Sequence, residues 1–94
     1  MQATQRLVVT GRVHQVGYRD WMVRKAQSLG VQGWVRNLTD GRVEMVASGE
    51  DEALAAFVDA SYQGPYLARV ENVDMHPTDI KAGKGFTKRF TASV

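Results

Sequence analysis

The stretch GRVHQVGYRD, Gly11 to Asp20, joins a β-branched run to the start of a helical pattern, and it carries one arginine, Arg19, at the junction. A loop that feeds a helix N-terminus presents main-chain N–H groups with no partner inside the helix. Those groups, together with the helix dipole, favour an anion. An arginine at the same place adds a planar two-pronged donor that matches phosphate or carboxylate. The chemistry this suggests is binding of a phosphoryl or carboxyl group. The competing reading makes Arg19 an ordinary surface residue and gives Gly11 and Gly17 only a turn to form. On this stretch alone the two readings stand level.

A second candidate lies in GWVRNLTDG, Gly33 to Gly41. Asn37 sits in a strand-like run, where asparagine is disfavoured. Its amide offers donors and an acceptor and does not titrate, so it suits the orientation of a water molecule. Beside Thr39-Asp40-Gly41, however, a lone asparagine also reads as the start of a hairpin turn. His14 has the chemistry of an acid or base, but a half-exposed loop histidine is the commoner case. His76, before Pro77, reads as a strand-end residue. The two histidines and scattered carboxylates show no metal-ligand spacing. Trp21 and Trp34 read as packing residues before they read as stacking platforms for single-stranded RNA.

The elements that must position these residues follow from pattern. Arg6–Val13 is a strand bounded by glycine. Asp20 is expected to cap a helix that runs to about Leu29, with Tyr18, Met22, Ala26 and Leu29 as its apolar stripe and Gly30 as its left-handed stop. VQGWVRN and RVEMVAS form strands joined by the Asp-Gly turn. GEDEALAAFVDAS is a second helix with an acidic first turn and a buried stripe of Leu54, Phe57 and Val58, stopped by Gly64-Pro65. ARVENVDMH is a strand with broken alternation near Asn72, the sign of a bulge. GFTKRFTASV is the last strand. With the strand boundary near residues 76 to 85 left open, the order β-α-β-β-α-β is that of the ferredoxin-like fold: an α/β chain of the α+β sandwich type, with an antiparallel sheet and two helices on one face, forming a single domain over residues 1–94.

GRVHQVGYR, followed by LGVQGWVRNLTDGRVEMVASG, closely resembles the acylphosphatase family. The later GP, ARVENVD and the phenylalanine-containing last strand extend the likeness over nearly the whole chain. The resemblance implies hydrolysis of the carboxyl–phosphate bond of acyl phosphates, without metal or cofactor. It places Arg19 on the phosphate-binding arginine and Asn37 on the asparagine that positions the attacking water. It implies a phosphate-binding loop made by the main chain of His14, Gln15, Val16, Gly17, Tyr18 and Arg19. The family loop usually reads Val-Gln-Gly-Val; here Val13-His14-Gln15-Val16 puts Gln15 at the glycine. A Cβ there is compatible with the loop if residue 15 keeps negative φ and points outward. That geometry is favoured because Gly11 and Gly17 flank the loop. If positive φ is required, Gln15 is strained.

Composition fits this picture. The chain has 94 residues, 44% hydrophobic and 23% charged, which allows one small core. It has no cysteine, which removes thiolate nucleophiles and disulfides and fits a reducing compartment. The net charge of +2 and the lack of a basic-aromatic strand motif argue against nucleic acid as partner. Lys81, Lys84, Lys88 and Arg89 read as a solvated strand face. No run is long enough to span a membrane, and no signal peptide is recognisable. The expectation is a cytoplasmic monomer acting on a small acyl phosphate or binding inorganic phosphate. The alternative is a catalytically weak or silent anion-binding module of the same fold.

Overall fold

The computed structural model describes residues 2–94. Its elements are β1 (Gln2–Arg12), α1 (Tyr18–Leu29), β2 (Gln32–Asn37), β3 (Val43–Glu50), α2 (Asp51–Gln63), β4 (Arg69–Pro77) and β5 (Phe86–Lys88). The sheet order is β4-β1-β3-β2-β5. The first four strands pair antiparallel, as the ferredoxin-like pattern requires. The fifth adds parallel to β2, so the complete sheet is mixed.

Strand alternation divides the side chains between two faces. Leu7, Val9, Val35, Val43, Met45 and Ala47 share one core with Tyr18, Met22 and Ala26 of α1 and with Leu54, Phe57 and Ala60 of α2. Both helices therefore cover the same face. Leu29 and Val58, the ends of the two expected stripes, are only partly buried. Phe57 and Phe86 meet with ring centroids 5.4 Å apart, which ties α2 to the short last strand. Tyr18 Oη donates to the Ser61 carbonyl at 2.8 Å, and this bond fixes the first turn of α1 against α2. Burial pushes the Tyr18 phenol pKa well up, so the group acts only as a hydrogen-bond donor.

The opposite face carries a charged cluster. Glu44 is 5% exposed and accepts from Arg6 Nε at 2.7 Å and from Arg36 Nε at 2.7 Å. Burial acts to raise its carboxyl pKa. The two arginine hydrogen bonds outweigh that and hold it below the usual carboxylate range. The sign follows: a depressed folded-state pKa gives stability that is present above the unfolded value of 4.5 and is lost as pH falls through the folded value. Glu44→Ala should cost about 2 kcal/mol at neutral pH, because it leaves two half-exposed guanidinium groups facing each other. The difference from wild type should shrink in acid. Urea denaturation of both proteins across the acid range measures it, and a gap that widens with falling pH contradicts the assignment.

The expected bulge is present. Thr10 pairs with Asn72 and Gly11 with Val70, so Glu71 is the extra residue. Gly11 has φ +133°, and a Cβ there would collide with the Arg69 carbonyl. The bulge lies at the end of β1 from which the arginine-bearing loop departs. The helix cap differs from the expectation. Gly17, with φ 80° and ψ 15°, is the N-cap of α1, and Asp20 lies inside the first turn without capping it. Gly30 ends the helix in the left-handed region, as the pattern indicates.

Candidate functional site

Three segments converge at one end of the sheet. The loop of residues 13–17 leaves the C-terminal end of β1. Asn37 pairs with Val43, and Val43 pairs with Val9, so Asn37 lies in the row of the sheet that ends near that loop. His14 closes the link. Its Nε2–H donates to the Arg42 carbonyl at 2.9 Å, which fixes the tautomer and fastens the loop to the β2–β3 hairpin. His14 thus has a positioning task that its residue type alone did not reveal.

The loop is built to hold main-chain donors open. Among the described residues, the N–H groups of residues 14 to 20 make no hydrogen bond to a main-chain carbonyl, and the first such bond belongs to Trp21, which donates to the Gly17 carbonyl at 3.0 Å. No side chain caps the helix start. Unpaired donors at the positive end of a helix favour an anion. Arg19 lies in the first turn of that helix. Among the described residues no carboxylate pairs with Arg19. Arg19, Val13, Gln15, Gly17 and Lys88 line a depression of about 130 Å³.

Gln15 departs from the expectation. Its φ is +59°, the only positive value outside glycine among the described residues. The loop imposes the glycine-type conformation, and Gln15 adopts it against the steric preference of an L-residue. Its exposed side chain lines the depression and leaves it open. Gln15→Gly should therefore stabilise the protein by about 1 kcal/mol, with relief of left-handed strain exceeding the unfolded-state entropy of glycine. Thermal unfolding should show the increase. A loss of stability would mean that the side chain contributes contacts that outweigh its strain.

Asn37 is half-buried, and its Oδ1 is buried with no hydrogen-bond partner among the described residues. A buried acceptor normally finds a partner. This one has none among the described residues. The Asn37 carbonyl accepts from the Ala92 N–H at 3.0 Å.

Lys88 and Asp20 complete the rim. Lys88 Nζ lies 2.8 Å from an Asp20 oxygen. The hydrogen bond and charge of Lys88 lower the Asp20 pKa, so Asp20 is ionised at neutral pH, and Lys88 neutralises an acidic group that would otherwise oppose an anion. The basic cluster read as a solvated strand face therefore divides. Lys81 and Lys84 are exposed in the connection before β5, whereas Lys88 and Arg89 border the site. Neither tryptophan is a free platform. Trp34 is 3% exposed, and Trp21 is half-buried with its indole N–H directed at the Ala60 carbonyl, 3.3 Å away. No group of three or more candidate metal ligands occurs among the described residues.

The fold and site define a class: a ferredoxin-like α+β sandwich with an open cationic loop where its first strand passes into its first helix. The acylphosphatase family model matches residues 5–90, and the chain belongs to that family. Among curated relatives it is 50% identical to an acylphosphatase of Thiobacillus denitrificans over 92% of this chain and 96% of the relative. It is 49% identical to an acylphosphatase of Thermus thermophilus over 84% of this chain and 90% of that one. Among solved structures it resembles an acylphosphatase from Coxiella burnetii, with TM-score 0.88 and 32% identity over 94% of this chain and 93% of that one. An acylphosphatase from Bacillus subtilis gives TM-score 0.87 and 33% identity over 95% and 99% of the two chains.

Proposed function

We infer that this chain hydrolyses the carboxyl–phosphate bond of small acyl phosphates to a carboxylate and inorganic phosphate. Family membership supports the reaction. The observation that carries the assignment of roles is the unpaired Arg19 guanidinium beside an unpaired row of helix-start N–H groups. Together they form a cradle for a tetrahedral anion. The main chain of His14, Gln15, Val16, Gly17, Tyr18 and Arg19 binds phosphoryl oxygens, and the Arg19 fork neutralises their charge. Asn37 positions the water through its side-chain amide, and an oxygen lone pair of that water is left free to attack.

The water oxygen then bonds to phosphorus, and the bond from phosphorus to the acyl oxygen breaks. Its electron pair leaves with the carboxylate. The proton of the water passes to a phosphoryl oxygen of the substrate, so no side-chain base is needed. A carboxylate is a good leaving group, and the protein's part is positioning and electrostatic stabilisation. The protein acts as a monomer of one domain in the cytoplasm, with a small molecule as its partner. Among the described residues no helix is long and apolar enough to cross a membrane.

Hydrolysis of benzoyl phosphate, followed by release of phosphate and its inhibition by added phosphate, tests the function. Turnover with competitive phosphate inhibition is the expected result. Phosphate binding without turnover would instead identify a silent anion-binding module.

A further inference from the structure

A second, larger groove lies beside the cradle. It measures about 660 Å³ and is lined by Arg19, Arg36, Lys88, Arg89, Phe90 and Thr91. Arg19 and Lys88 border both this groove and the cradle, so the two are neighbours. The outer wall is a bulge. Val35 pairs with Lys88, and Leu38 with Ala92, so three steps along β2 face four along the C-terminal segment. One extra residue pushes this edge outward, a device that re-aims side chains beside active sites. Phe90, on the bulge, is 96% exposed.

The four cations of the groove are not equivalent. Arg36 is held by Glu44 at 2.7 Å, and Lys88 by Asp20 at 2.8 Å. Arg19 faces the cradle. Among the described residues Arg89 has no carboxylate partner, and its guanidinium lies 4.6 Å from the centroid of the buried Trp34 ring. Arg36 also lies against that ring, at 4.7 Å. Stacking on a buried indole restricts the guanidinium without consuming its charge. A fixed arginine with no counter-ion is set up to receive one.

We propose that Arg89 reads a second anionic group on the acyl portion of the substrate, so that the preferred acyl phosphates carry a negative charge at the end remote from the scissile bond. This rests on the acyl-phosphate reading of the cradle and adds a substrate class to it. Arg19 takes the phosphoryl group, and Arg89 takes a distal carboxylate or phosphate. Exposed Phe90 borders the carbon chain between them.

The test compares three substrates. Butyryl phosphate has no second charge, succinyl phosphate places a carboxylate where butyryl has a methyl, and a third carries a distal phosphate monoester. Wild type should show a kcat/KM higher by on the order of tenfold for at least one charged substrate over butyryl phosphate, as expected for a charge-assisted hydrogen bond. Whichever charged substrate gains more identifies the anion. Arg89→Gln should abolish the preference and Arg89→Lys should restore part of it. Added salt should erode it in wild type. Equal kcat/KM for all three substrates in wild type overturns the proposal, as does a preference that survives in Arg89→Gln. Failure to hydrolyse any of the three counts against the acyl-phosphate reading itself, which separates the two claims.

Discussion

Arg19→Lys is expected to lower kcat/KM for benzoyl phosphate by roughly 100-fold to 1000-fold while the fold persists. That range is typical for removing one preorganised donor from a developing charge. Lysine preserves the unit charge but loses the planar fork that bridges two phosphoryl oxygens, and its ammonium is more strongly hydrated. The structure explains why stability should be spared. Arg19 is half-buried and has no ion-pair partner among the described residues, so the substitution breaks no ion pair. Inhibition by inorganic phosphate should weaken in parallel. A lysine variant with wild-type phosphate inhibition would show that Arg19 is not the phosphate ligand.

Asn37→Ala is expected to divide the kinetic constants differently. If the Asn37 amide holds only the water, kcat should fall by about 100-fold, with phosphate inhibition changed by no more than about threefold. The fold should again persist. Oδ1 has no hydrogen-bond partner among the described residues, and the Asn37 carbonyl keeps its bond to Ala92 whatever the side chain. Two outcomes contradict this role. Unfolding would restore the reading of Asn37 as a turn-forming residue, and full activity would remove it from the reaction. Circular dichroism alongside steady-state kinetics separates them.

Much of this arrangement is visible in the chain itself, because its local signals agree with one another. The stripe of Tyr18, Met22 and Ala26 marks the buried face of α1, and Gly30 marks its end. The break in alternation near Asn72 marks a real bulge. Arg19 and Asn37 stand out because each is a polar residue where the pattern asks for something else. What the pattern misses is conformational or long-range. Gln15 reads as an ordinary negative-φ residue because its neighbours supply glycine on both sides, yet the loop holds residue 15 itself at φ +59°. The loop path is set by its tie to Arg42 through His14, a contact that sequence spacing does not display.

The same limit affects the cap and the last strand. Asp20 has the chemistry of an N-cap, but Gly17 takes that place and Asp20 pairs with Lys88, far away in the chain. Regular alternation from Phe86 would carry Phe90 onto the core face. The extra residue in the edge strand places it in solvent instead, and the ordered ladder ends at Lys88. Arg89 is therefore seen to line the groove beside Arg19 only once Trp34 and the bulge are in place. A three-residue strand pairing parallel at an edge carries too little periodicity to announce itself.

The central claim is that water held by Asn37 attacks phosphorus while Arg19 and the loop hold the phosphoryl group. The most direct measurement is hydrolysis of benzoyl phosphate by the wild-type protein in water enriched in heavy oxygen, with both products weighed by mass spectrometry. The account predicts that the label appears in inorganic phosphate and that benzoate stays unlabelled. Label in the benzoate would place the attack on the carbonyl carbon and contradict the assignment of the cradle.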